Sequence, residues 1–286
     1  MLKFCGIHPL RYGDIVMNLV SAKILKEQYP DSHFTLVINN NYKDIAPIFI
    51  DNPYIDRIHI LHKDKDGFDE IDLEWVKNQA FDHVFNPMAD HDHSKPWFLF
   101  RHQTLETAFV HEIISQDDIN RNVYNPQIEL TKWFDVGKDL NNFVAFMPFA
   151  GQYDPNNSKR LLANRAQIIV DYIRDYGFNV LQLGGKDDPK LQGSLFFNTN
   201  YFESVKNMLG CKFLITTDSG LNWVASGYQF PTIGLYSNEY YGKEYIKNIQ
   251  PINSNATYLD DNNVNHIDIN LVFNTILEKI NKNNQS

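Results

Sequence analysis

Short apolar runs of strand length alternate with longer amphipathic segments along most of this chain, and that alternation restricts the fold more than any other feature. "LKFCGI" is followed by "DIVMNLVSAKILKEQYP", then by "HFTLVIN", "NYKDIAPIFIDNP" and "IDRIHIL". Strands separated by helix-length segments need crossover connections, so they pair in parallel with helices on the faces of the sheet. In the first helix Ile15, Val16, Leu19, Val20, Ala22, Ile24 and Leu25 mark a broad apolar face. Lys23, Lys26 and Glu27 lie largely opposite, and Pro30 enforces a stop. "FDHVFNP", residues 81–87, reads as one more strand.

From Met88 to about Gln127 the pattern loosens, with a helix expected through "TLETAFVHEII" and a connector in "LTKWFDVGKDLNN". A second alternation then begins. "FVAFMPF", "FNVLQLGG" and "CKFLIT" read as strands, and "ANRAQIIVDYIRDYG", "YFESVKNMLG" and "INLVFNTILEKINK" as helices, the first closed by Gly177. The expected fold class is α/β, in two halves of similar build, with domains at 1–140 and 141–286.

The 286 residues, 43% of them hydrophobic, suffice for two packed cores. A formal net charge of -9 disfavours nucleic acid as a bulk partner. Cys5 and Cys211 lie in or beside strand-like runs, where a free thiol acts as a small hydrophobe and not as a disulfide staple. No run approaches the roughly 20 apolar residues that cross a bilayer, and the amino terminus has no signal-peptide pattern. A cytoplasmic protein without a transmembrane segment is expected; peripheral membrane contact stays open.

In an open parallel sheet, ligands bind at the carboxyl ends of the strands. Three segments fall there. In "RYGDIV", Gly13 permits a tight strand-to-helix turn and Asp14 begins the helix, either as a plain N-cap or as a general base. In "PFAGQYDPNNSKRLLANRAQ", a glycine-containing loop ends in Lys159 and Arg160, either a solvated basic pair or a phosphate cradle. In "TTDSGLNWVASGYQFPTIGLYS", Asp218, Ser219 and Gly220 sit at a helix start, where free N–H groups and the helix dipole favour an anion such as a diphosphate.

"LGGKDDP" adds Gly184 and Gly185 after a strand, then Asp187 and Asp188, either an ordinary turn or an acceptor for ribose hydroxyls. "HDH" places His91 and His93 around a carboxylate, a weak metal pattern because His102 and His111 supply no recognisable further spacing. These histidines read better as a polar loop touching a hydroxyl-rich acceptor, with Trp97 of "PWFLF" able to stack on a sugar face or to join the core.

Taken together, "GDIVMNLVSAKILKEQYPDSHFTLVINNNYKDIAPIFIDNPYIDRIHIL" resembles the opening of the heptosyltransferase-like glycosyltransferases, glycosyltransferase family nine. That family shows a Gly-Asp turn, an apolar helix, a "YPD"-type exit, a strand and an "NP-x-ID" turn. The Lys159–Arg160 loop, the Gly184–Asp188 turn and the Asp218–Leu221 segment follow in the family's order. The resemblance implies a GT-B fold, two Rossmann-like domains with parallel sheets facing across a cleft, the first on the acceptor side and the second binding the nucleotide sugar. It implies an inverting, metal-independent transferase with no required cofactor, whose substrates are a nucleoside diphosphate sugar and a glycan or other hydroxyl acceptor.

Carried over by position, Asp14 resembles the general base and Lys159 the lysine that neutralises the leaving diphosphate. Ser219 and Gly220 resemble the phosphate-contacting pair, with Arg160 and Asp218 beside them, and Asp188 or Asp187 the ribose-contacting acid. Gly13, His91, His93 and Trp97 are the acceptor-side candidates. One departure is visible, since Trp223 stands where the family carries a histidine three positions after the glycine. Two rival readings follow: transfer to a modified DNA base, and a catalytically silent sugar- or nucleotide-binding module.

Overall fold

The apolar runs of the first half become β1 (Lys3–His8), β2 (His33–Asn39), β3 (Arg57–Leu61) and β4 (His83–Phe85). They form one parallel sheet in the order β3-β2-β1-β4, with Phe4 opposite Phe34 and also opposite His83. The computed structural model describes residues 1–8, 11–17, 19–61, 70–85, 129–130, 140–150, 153–243 and 246–283. Contacts divide the chain into two units, Met1–Lys132 and Trp133–Ser286.

In the first unit α1 (Tyr12–Met17) and α2 (Leu19–Gln28) follow β1, and every residue of the expected apolar face, from Ile15 to Leu25, is buried. The turn into α1 differs from expectation. Gly13 already lies inside the helix, and the residue with positive φ is Arg11, at 22°. The segment after β2 is a 3-10 stretch, Asn40–Phe49, broken by non-helical angles at Tyr42 and containing Pro47. A proline there removes a donor and clashes with the preceding turn, which prevents a regular α-helix.

The "NP-x-ID" turn is built from side-chain bonds. Asn52 Oδ1 accepts from the Tyr54 N–H at 3.0 Å, and Asp56 accepts from the Phe34 N–H at 2.6 Å and from Lys26 at 2.8 Å. Asp56 thereby fastens the start of β3 to β2 and to the end of α2. α3 (Glu70–Asn78) precedes β4, and its Trp75 ring stacks on His59 at 3.4 Å between centroids.

The second unit runs β5 (Phe143–Met147), α4 (Ala163–Asp175), β6 (Asn179–Leu183), β7 (Ser194–Phe197), α5 (Tyr201–Gly210), β8 (Leu214–Thr217), α6 (Gly220–Gly227) and β9 (Thr232–Ser237). It ends with α7 (Asn238–Tyr241), α8 (Ile246–Ile249), β10 (Ala256–Asp261) and α9 (Ile269–Asn283). Its parallel sheet has the order β10-β9-β8-β5-β6-β7. Counted within this unit and read from β7, that is 3-2-1-4-5-6, the Rossmann order, in which chain direction across the sheet reverses between β5 and β8.

Helix spacing explains the core of this unit. α4 buries Ala166, Ile169, Val170 and Ile173, one face at 3.6-residue periodicity, and α9 buries Val272, Ile276 and Ile280. Both faces join Val144, Phe146, Ile215, Ile233 and Leu235 of the sheet in one hydrophobic core. α6 is buried along its length from Leu221 to Gly227, and its two buried polar residues bond inward, Asn222 to the Tyr236 hydroxyl and Ser226 to the Trp223 carbonyl.

Candidate functional site

The reversal point fixes where a ligand meets this sheet, because the connections leaving β5 and β8 turn to opposite faces there. The loop leaving β5 carries Lys159 and is pinned on both sides. Its Ser158 accepts the Val264 N–H at 2.9 Å through its carbonyl and a hydrogen bond from the Ser237 hydroxyl at 3.0 Å. Asn265 then takes the Leu162 N–H at 2.7 Å and donates to the Arg160 carbonyl at 2.9 Å.

Lys159 is buried, with 7% exposure. Its Nζ lies 3.6 Å from Asp218 Oδ2, the residue that directly follows β8, and 3.5 Å from the Tyr241 hydroxyl. The Tyr240 ring covers the ammonium at 4.6 Å from its centroid, within cation–π range. Tyr241 donates a hydrogen bond to Asp218 Oδ2. Burial first, and the Asp218 charge second, hold the Tyr241 phenol well above its ordinary pKa, so it stays a donor.

Ser219 is the N-cap of α6, yet its side chain makes no cap hydrogen bond to the helix. Its hydroxyl pairs with that of Thr216 at 2.8 Å. Gly220 is the first helical residue, so the amino terminus of α6 opens beside Asp218 without a side-chain cap. In the first turn Asn222 donates to the Tyr236 hydroxyl, and Trp223 is buried at 3% exposure.

Lys159 and Arg160, adjacent in sequence, go separate ways. The Arg160 charge acts on Asp188 at the end of β6, while Lys159 faces Asp218 after β8. Asp188 is buried and accepts the Gly185 N–H at 2.8 Å. Burial pushes its carboxyl above the usual range, against the opposing pull of the Gly185 and Tyr153 N–H groups and of Arg160. Asp187 is exposed.

In the first unit Asp14 lies in the first turn of α1, 7% exposed, where a carboxylate is favoured by the helix dipole. The neighbouring Tyr12 hydroxyl donates to Asp44 at 2.7 Å, and the Tyr12 ring meets Tyr42 edge-on at 5.1 Å. His91, His93 and Trp97 lie outside the described residues. Among the described residues no group of three or more His, Cys, Asp or Glu side chains is placed to hold a metal ion, and no helix is long and apolar enough to cross a membrane.

Lys159, Asp218, Ser219 and Gly220, singled out from the sequence, lie together here, and Tyr240, Tyr241 and Asn222, which the sequence reading did not single out, lie with them. The signal was the tyrosine pair in "SNEYYGK", which directly follows the strand "TIGLYS" and so stands at a strand's carboxyl end.

No protein-family model and no curated protein matches the chain. Solved structures do. The E. coli ADP-heptose lps heptosyltransferase II aligns with a TM-score of 0.67 at 12% sequence identity, covering 98% of this chain and 99% of its own. E. coli heptosyltransferase WaaC with ADP gives 0.64 at 13% identity, over 97% of this chain and 100% of its own. The glycosyl transferase family 9 protein from Veillonella parvula DSM 2008 gives 0.57 at 15% identity, over 91% and 87%. Likeness at such identities is likeness of fold. The chain has the GT-B fold of these glycosyltransferases, in agreement with the expectation from sequence.

Proposed function

We propose that this protein is an inverting glycosyltransferase that moves a sugar from a nucleoside diphosphate sugar to a hydroxyl acceptor, a cell-surface glycan or lipid-linked saccharide. The observation that carries the reading is the buried Lys159 ammonium beside the side-chain-uncapped amino terminus of α6, at the reversal point of a Rossmann-ordered sheet. A cation and a helix amino terminus together favour a diphosphate. The solved structures of the same fold support the class of donor, since one of them holds ADP.

In this reading residues 141–286 bind the donor and residues 1–140 serve the acceptor. Asp14 takes the proton from the acceptor hydroxyl, and its oxygen attacks the anomeric carbon as the bond to the diphosphate breaks. Negative charge then develops on the leaving diphosphate, where Lys159 and the first N–H groups of α6 stabilise it. Asp188, with Gly184 and Gly185, shapes the turn that meets the ribose.

The test is a thermal-shift panel of ADP, UDP, GDP, CDP and dTDP on the purified protein. A ligand at about 100 times its Kd adds roughly 2.7 kcal/mol of stability. A shift with one nucleotide, ADP first, is the expected result. Absence of any shift at millimolar concentration would overturn the donor site and favour a module that has lost it, with Trp223 as the departure to blame.

A further inference from the structure

The Lys159 ammonium is not a bare cation waiting for an anion, because Asp218 and Tyr241 face it and the Tyr240 ring covers it. The two contacts to Asp218 Oδ2 are unequal. Lys159 stands at 3.6 Å, beyond the usual hydrogen-bond distance, whereas the Tyr241 hydroxyl makes the hydrogen bond. The directional partner of the carboxylate is therefore the phenol, and the ammonium is paired to it through charge alone.

We propose, on the reading that this site takes a nucleoside diphosphate, that Tyr241 is a positioning residue that holds the Asp218 carboxylate while Lys159 changes partner from Asp218 to the diphosphate. Pulling an ammonium away from a largely buried carboxylate leaves that charge uncompensated, which is strongly unfavourable. A donor that stays behind removes most of that penalty. Tyr241 is built to stay. Its helix α7 is capped by the Ser237 hydroxyl, which accepts the Tyr240 N–H at 3.3 Å, and Gly242 closes it with φ 84°. Asn238 ties the same helix to Asp260 at 2.7 Å, and the Glu239 N–H bonds the Asn262 carbonyl at 2.9 Å. The phenol is thus anchored to the ends of β9 and β10 by bonds that do not involve the Lys159 side chain, although the Ser237 hydroxyl that caps α7 also bonds Ser158 of the loop that carries it.

The experiment is a calorimetric double-mutant cycle on the full chain, using the nucleoside diphosphate that binds the wild type: wild type, Tyr241→Phe, Asp218→Asn and the double variant. Tyr241→Phe keeps the buried ring and removes only the donor. It is expected to weaken binding about tenfold, the scale of a hydrogen bond to a charged group. In the Asp218→Asn background the same change is expected to have less than about a twofold effect, because no ionised carboxylate remains to be held. Equal weakening in both backgrounds would mark Tyr241 as a packing residue and overturn the inference, as would unchanged binding by Tyr241→Phe in a wild type that binds. A wild type that binds no nucleotide overturns the donor reading itself, and the inference with it.

Discussion

Asp188 folds back beneath Gly184, so close that a Cβ on residue 184 would meet its Oδ2 at 2.4 Å. The same oxygen accepts the Gly185 N–H, so the carboxylate fastens the turn that ends β6. Glycine at 184 is required by that approach, not by an unusual backbone angle, since its φ is not among the positive ones.

Gly184→Ala is therefore expected to displace Asp188 and destabilise the second unit by about 1–3 kcal/mol, the usual scale of overpacking. Urea denaturation measures it. If the turn also meets the nucleotide, the variant loses affinity for it as well. Wild-type stability with wild-type binding would mean that Asp188 moves aside freely and fastens nothing.

Lys159→Ala removes the cation while leaving Asp218 its bond from Tyr241. The fold is expected to survive, and nucleoside diphosphate affinity to fall at least about tenfold. Titration calorimetry on wild type and variant decides it. Equal affinity would remove the phosphate assignment.

The helical faces of α2, α4 and α9 were legible because their apolar spacing at three and four residues has no other compact use. β7 and β10 were not. Both are edge strands; β7 is four residues long with Leu195 48% exposed, and in β10 Leu259 alone is buried, so neither is buried throughout as β8 and β9 are. In the site, Lys159 and Asp218 were legible one at a time, from their places at strand ends. Their pairing was not, because it depends on β5 lying next to β8, an adjacency set by sheet order. Tyr241 stayed hidden for a related reason: an aromatic after a strand looks like core, and only the placement of α7 turns its hydroxyl toward Asp218. The divergence of Lys159 and Arg160 has no signature in the sequence at all.

Asp56 gives a prediction for pH. Burial alone would raise its carboxyl, but the Lys26 ammonium and the Phe34 N–H outweigh that and hold it below the usual range. A lowered folded-state pKa contributes stability that is present above the unfolded value, about 4, and lost as pH falls through the folded one. Asp56→Asn is expected to cost about 1 kcal/mol at pH 7, a modest figure because the side chain is one-third exposed. Denaturation curves at pH 7 and pH 3 should show the gap between variant and wild type closing at the lower pH. A gap that does not change with pH would mean that the ionised carboxylate is not what joins β2 to β3.

Asp14 separates chemistry from binding. On the proposed reading it is a general base that acts on the acceptor hydroxyl in the transition state, and a group of that kind contributes little to holding the donor beforehand. Asp14→Asn keeps the size of the side chain and removes its basicity. Turnover is expected to fall about 100- to 10,000-fold with donor affinity within about twofold of wild type. Stability should drop by no more than about 1 kcal/mol, the value of a carboxylate in a helix's first turn. Donor hydrolysis and transfer to a panel of hydroxyl acceptors, measured beside calorimetric donor binding, resolve the two roles. Intact turnover would leave Asp14 as a dipole-favoured residue of α1 and send the search for the base elsewhere. A parallel collapse of donor binding would show that its contribution is to the fold of the first turn and not to proton transfer.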